Sequence, residues 1–114
     1  MSRHKRAVRR QFRDAVFRRD GHRCRVCGRQ WRPEDADPGL HRLNAHHITD
    51  RTLMPGGGYV AENGITVCER PCHLRVEKFH ETGSAEPGLE PEALYRLIGS
   101  SHGAAVDASR RLGE

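Results

Sequence analysis

Aromatic side chains are scarce: of 114 residues, 1 is Trp, 2 are Tyr and 3 are Phe. Apolar residues make up 35% against 31% charged, and mean hydropathy is −0.81, so any core must be small. No long uncharged apolar run occurs, which excludes a membrane-spanning helix. The opening residues, MSRHKRAVRRQF, are charged with no apolar stretch behind them. No secretory signal is therefore expected, and the expected location is the cytoplasm. Lysine is also nearly missing, because 18 of the 20 basic residues are Arg. The planar guanidinium suits bidentate contact with phosphate better than an ammonium does. The length is that of one domain with some tail to spare.

What is there is unevenly placed. Residues 1–32 hold 12 Lys+Arg against 2 Asp+Glu, a net +10; residues 33–114 hold 8 against 13, a net −5, and the two sum to +5. A basic first third on a chain of pI 9.5 points to a polyanionic partner, nucleic acid first. The competing explanation is that arginine richness follows genome composition or serves solubility.

The spacing of Val8, Phe12 and Ala15/Val16 predicts an amphipathic helix over residues 4–19, with Arg6, Arg9, Arg10 and Arg13 mainly off the apolar stripe. Asp20-Gly21 stops it, with Arg18 and Arg19 in the last turn. A two-cysteine knuckle follows, and residues 31–40, with two prolines and three acids, read as a loop. Residues 42–48 read as one strand and 65–67 as a second, separated by a turn-rich stretch containing Pro55 and Gly56–Gly58. Residues 71–80 read as a helix with Pro71 in its first turn. Residues 91–98 read as a short helix anchored by Leu94, Leu97 and Ile98. Residues 99–114 show no periodic apolar face and are expected to be frayed.

Four cysteines stand as Cys24-x2-Cys27 and Cys68-x3-Cys72, 40 residues apart. With no export signal a disulfide framework is disfavoured, and the paired short spacings indicate tetrahedral thiolate binding of a structural Zn2+. Free thiols or a redox pair are the competing readings. A chain this poor in apolar residues needs such a staple. Four thiolates leave zinc no open position, so any reaction requires a second site. His46 and His47 fall inside the cysteine bracket and His73 directly follows its last cysteine, with Asn63 just before the second strand. Two imidazoles facing each other across strand and helix can hold one divalent cation and leave positions open. A third histidine outside the metal can act as a base. Adjacent strand residues point to opposite faces, so the strand must end or bend at His46-His47 for both to serve one site.

Leu43-Asn-Ala-His-His-Ile48, Asn63-Gly-Ile-Thr-Val-Cys68 and Cys72-His73 together resemble the HNH endonucleases, the ββα-metal or His-Me finger nucleases. The resemblance covers roughly residues 10–80. It implies a small α+β fold with a ββα-metal core, a basic N-terminal helix and a structural zinc site of four cysteines. The implied nuclease domain spans residues 1–83 (basic helix 4–19, zinc and ββα core 22–82). Residues 84–114 form a C-terminal extension with a flexible end. The implied activity is metal-dependent hydrolysis of DNA phosphodiester bonds. His46 and His73 match the family's metal ligands, and His47 matches the general base. Asn63 matches the residue that fixes the hairpin loop and orients the base, and in some members binds metal. The second cysteine pair departs from the family pattern by one extra intervening residue. A further ligand position one turn after His73 is occupied here by Glu77, read as a surface glutamate or a carboxylate ligand. His4, His22, His41, His80 and His102 are read as non-catalytic.

The expected reaction has neutral His47 accepting a proton from water while a divalent cation, Mg2+, Mn2+ or another transition metal, stabilises phosphate charge. Arg6, Arg9, Arg10 and Arg13 are the expected backbone contacts, with little base reading. Two other readings share the features. One is a non-catalytic zinc module that binds nucleic acid. The other is an accessory nuclease acting beside a larger phage or restriction-system protein. The C-terminal acidic stretch is read as a partner surface or a solvated tail.

Overall fold

The structure, a computed structural model, describes residues 3–30 and 42–112. The loop expected over 31–40, and His41, lie outside the described residues. Helix α1 (Arg3–Arg19) buries Phe12 and Val16 and leaves most of its arginines in solvent. It ends as Asp20-Gly21 requires. Gly21 (φ 66) and His22 (φ 55) are left-handed, and the His22 N–H donates to Phe17 O at 2.9 Å, closing the last turn.

The Cys24–Cys27 knuckle then folds tightly. Cys24 N donates to Arg29 O (2.8 Å), Gly28 N to Cys24 O (2.9 Å) and Cys27 N to Cys24 Sγ (3.4 Å). Arg25 N donates to Thr66 O at 2.9 Å and ties the knuckle to the sheet. The sheet has two antiparallel strands, β1 (Leu43–His47) and β2 (Gly64–Cys68), with Leu43 opposite Cys68 and His47 opposite Gly64. Helix α1 crosses directly over Gly64. A Cβ there would lie 2.7 Å from Phe12 Cε1 and would also strike Val16, so the sequence places glycine where helix and strand touch.

After β2 the chain makes an irregular turn over Glu69–His73, in which Arg70 is extended (φ −143, ψ 130). Regular helix, α2, runs only over Leu74–Thr82, not from residue 71 as the spacing suggested. Arg70 is held extended directly before Pro71, and the turn brings Cys72 back to Cys68 so that both thiols join one cluster before regular helix begins.

Two further helices follow, α3 (Pro91–Leu97) and α4 (His102–Leu112). The second corrects the expectation of a frayed end. Its buried face is built from small residues, Ala105, Ala108 and Ser109, which a search for large apolar periodicity passes over. It packs against the turns at 55–57 and 61–63. The division at residue 83 does not separate two cores. Leu89, Leu94, Tyr95 and Ala105 share one buried cluster with Ile48, Ile65, Val67 and Val76. The architecture is thus a small α+β fold with a two-stranded sheet and, among the described residues, four α-helices. No described helix is long and apolar enough to cross a membrane.

Asp20 is the polar hub of this core. Its carboxylate accepts from Arg19 Nε (2.9 Å) and Nη2 (2.8 Å), Arg25 Nη1 (2.9 Å) and Thr66 N (2.9 Å). Burial raises its pKa, but these donors outweigh burial and hold the carboxyl below the usual carboxylate range.

Candidate functional site

The thiols of Cys24, Cys27, Cys68 and Cys72 converge from the knuckle, the end of β2 and the irregular turn, with all four sulfurs within 4.8 Å of one another. Burial opposes ionisation of Cys24, but backbone N–H groups of Cys27, Cys68 and Val26 outweigh it and bring the thiol down to about 7. Burial pushes Cys68 and Cys72 up; at Cys72 the neighbouring sulfurs add to this, whereas at Cys68 hydrogen bonds from Cys72 oppose it. Four such groups ionise together only around a cation, and the donor set is the one zinc takes in closed structural sites.

A second cluster lies on the other side of the strands. His46 on β1, His73 at the entry to α2 and Glu77 one turn later each offer a donor atom, all within 4.8 Å of one another. Glu77 Oε2 sits 3.1 Å from His46 Nδ1 and 3.4 Å from His73 Nε2. Burial, ahead of the neighbouring imidazoles, lowers the pKa of His46, while the hydrogen bond to His46 lowers that of Glu77. A carboxylate and two imidazoles are a donor set that could hold a divalent ion and leave coordination positions to spare. Glu77, read as a surface glutamate or a carboxylate ligand, is partly exposed and lies between the two imidazoles.

His80, expected to stand apart from the chemistry, adjoins it. Its ring stacks on His46 (centroids 4.9 Å, planes 19° apart), and its Nε2–H donates to His47 O at 2.7 Å. It joins neither metal-competent cluster. It braces the last residue of β1 and the buried face of His46.

His47 points the opposite way, as strand alternation demands. Phe12 stacks on its ring (4.5 Å, 26°) and Tyr59 meets it edge-on (4.7 Å, 89°). Burial, then the charge of Arg51, brings the imidazole down to about 4, so it is neutral throughout the physiological range. Its ring nevertheless lines an open cleft of about 970 Å3 between α1 and β1. Arg9, Arg13, Arg42, Arg51 and His73 line the same cleft, and among the described residues no carboxylate lines it. Of the four arginines expected on α1, Arg9 and Arg13 thus face His47. Arg6 and Arg10 join them only around a shallower neighbouring hollow.

Asn63 does not line the cleft. It is fully buried, and its amide is saturated. Nδ2 donates to Thr49 O (3.1 Å) and Gly58 O (3.2 Å), and Oδ1 accepts from Thr49 N (3.0 Å) and Tyr95 Oη (2.7 Å). It therefore positions the exit of β1, immediately after His47, and is not a group that meets substrate or metal. A Cβ on Gly58 (φ 67) would come 2.7 Å from Asn63 Nδ2, so glycine is required beside it.

Sequence reasoning missed Arg42, Arg51, Tyr59 and Tyr95. The first three sit in irregular segments with no periodicity to expose them. Tyr59 alone carries a signal, as one of 2 tyrosines and directly after three glycines. No family model, no curated protein and no solved structure matches the chain.

Proposed function

We propose that this chain is a divalent-metal-dependent endonuclease of the HNH type that hydrolyses DNA phosphodiester bonds with little sequence preference. One observation carries the reading. A neutral, caged imidazole (His47) and one edge of a His-His-Glu cluster (His73) open onto the same cleft, whose charged lining among the described residues is cationic.

His47 takes the proton of the attacking water, a role that requires it unprotonated. The hydroxide oxygen bonds to phosphorus, the bond to the 3′ oxygen breaks, the departing 3′ oxygen takes a proton from solvent, and His47 gives its own proton to solvent. Phe12 and Tyr59 hold the ring in one orientation, and Asn63 and His80 hold the backbone that carries it. Arg9, Arg13, Arg42 and Arg51 bind the phosphate backbone. His46, His73 and Glu77 would hold a divalent cation, which would supply Lewis-acid stabilisation of the developing negative charge. The four thiolates hold a structural zinc and take no part in the reaction.

The test is nicking of supercoiled DNA across Mg2+, Mn2+, Co2+ and Ni2+, with chelator and with His47→Ala. Wild type should open the plasmid only with metal, and His47→Ala should retain zinc and lose roughly 10²–10⁴-fold in rate. A near-wild-type rate in the variant removes His47 as base. Binding without cutting under every ion leaves a zinc-stabilised nucleic-acid-binding module.

A further inference from the structure

Beyond Arg9, Tyr59 and Arg51 the basic cleft does not end. The same three residues form one wall of a second groove, of about 440 Å3, which continues past the first end of α1. His4 and Lys5 line it from the helix, Gly57 from the turn that follows β1, and among the described residues no carboxylate lines it. The wall between the two spaces is built. Tyr59 Oη accepts from Arg51 Nη1 at 3.0 Å, and the Arg9 guanidinium lies 5.7 Å from the Tyr59 ring centroid. A Cβ on Gly57 (φ 85) would fall 2.8 Å from Tyr59 Cε2, so the ring rests on bare backbone and a larger residue would push it into the cleft. Two guanidinium groups therefore stand on a fixed ridge, each presented to both spaces.

We propose that this second groove is a subsite for the flanking phosphates of a polynucleotide strand, so that the substrate spans the ridge and engages Arg9 and Arg51 on both sides. The inference rests on the phosphodiesterase reading above and extends its substrate contacts beyond the first cleft. The chain should act on a polynucleotide in strong preference to a small phosphodiester, which can occupy only the first cleft. The groove's cationic lining suits successive phosphates and offers no base-reading pattern, in keeping with contact that is sequence-independent.

The experiment has two independent arms, using Lys5→Glu and, as a second variant, His4→Glu. Both residues are exposed on α1 and line only the second groove among the two spaces. In the first arm, fluorescence anisotropy reads binding of a labelled single-stranded oligonucleotide over a salt series. Each variant should weaken binding about tenfold at low salt and flatten the log–log salt slope by about 1. Unchanged affinity and slope in both variants overturn the subsite, whether or not the protein cuts. In the second arm, the ratio of kcat/KM for the oligonucleotide to kcat/KM for bis(p-nitrophenyl) phosphate should fall by a similar factor. A ratio equal to wild type also overturns it. Absence of hydrolysis of either substrate by wild type rejects the phosphodiesterase reading instead, and the binding arm then still decides the groove.

Discussion

The hydroxyl of Tyr95 donates to Asn63 Oδ1 at 2.7 Å across 32 residues of sequence, and lies 2.6 Å from Thr49 Oγ1. Helix α3 thereby holds the loop that sets the end of β1. The C-terminal third is part of what positions His47, through a contact that no local pattern announces. Ser100 Oγ, donating to Glu62 O at 2.9 Å, fastens the same loop from the next turn of chain.

Tyr95→Phe removes one donor to a buried amide oxygen that keeps its bond from Thr49 N. The expected loss is about 1–2 kcal/mol, read as a lower urea midpoint. Asn63→Ala should cost more, about 3 kcal/mol, because Thr49 N, Thr49 O and Gly58 O all lose their partner at once. Equal effects of the two substitutions would mean that the amide does not organise the loop.

Asp20 gives the pH dependence. Its folded-state pKa lies below the unfolded value, so the carboxylate contributes stability that is present above about pH 4 and is lost as pH falls through the folded pKa. Asp20→Asn should be less stable than wild type by about 2–3 kcal/mol at pH 7, and the gap should close below pH 4. Taking the difference between the two proteins at each pH removes the loss of thiolate-bound metal in acid, which both share. Denaturation curves that stay equally separated from pH 7 to pH 3 would contradict this.

The same residue shows where sequence reading stops. The amphipathic α1, its stop at Asp20-Gly21, the two strands and the convergence of the cysteine pairs follow from spacing and turn chemistry alone. His46 and His73 were legible because the cysteines pin their elements together. Charge counting was less discriminating. Of the first-third arginines, Arg19 and Arg25 bond Asp20 and backbone carbonyls, and Arg23 bonds Gly28 O and Gln30, so these hold the fold instead of facing the cleft. Arg42 and Arg51, in a net-negative part of the sequence, do face it. Burial of α4 was illegible for another reason. Alanine and serine faces bury by shape complementarity and carry almost no hydropathy signal.

Zinc should determine whether the chain folds at all. The protein purified without added metal should carry one zinc per chain by atomic absorption. Cys24→Ser or exhaustive chelation should abolish its cooperative thermal transition, since structural zinc supplies roughly 10 kcal/mol of apparent folding free energy. Cobalt substitution should produce the thiolate charge-transfer absorption of a tetrahedral sulfur site. A metal-free protein with the full helical spectrum and an unchanged melting temperature would show that the thiols cluster without a structural ion.

Glu77 distinguishes the His46–His73–Glu77 cluster from the cysteine cluster. Its carboxylate is the only oxygen donor among the three, and it sits between two imidazoles that otherwise face each other without a negative charge. Glu77→Gln preserves shape and removes that charge. Mn2+ affinity measured by calorimetry on the zinc-loaded protein should fall by about ten- to a hundredfold, while zinc content and melting temperature stay at wild-type values. His73→Ala should lower Mn2+ affinity by at least as much, because the remaining pair then offers one nitrogen and one oxygen. Lys78, beside Glu77 and exposed, is the control: Lys78→Gln should bind Mn2+ as wild type does. If Glu77→Gln also binds as wild type does, the carboxylate serves only to hold two imidazoles in place, and the site is left with nitrogen donors alone.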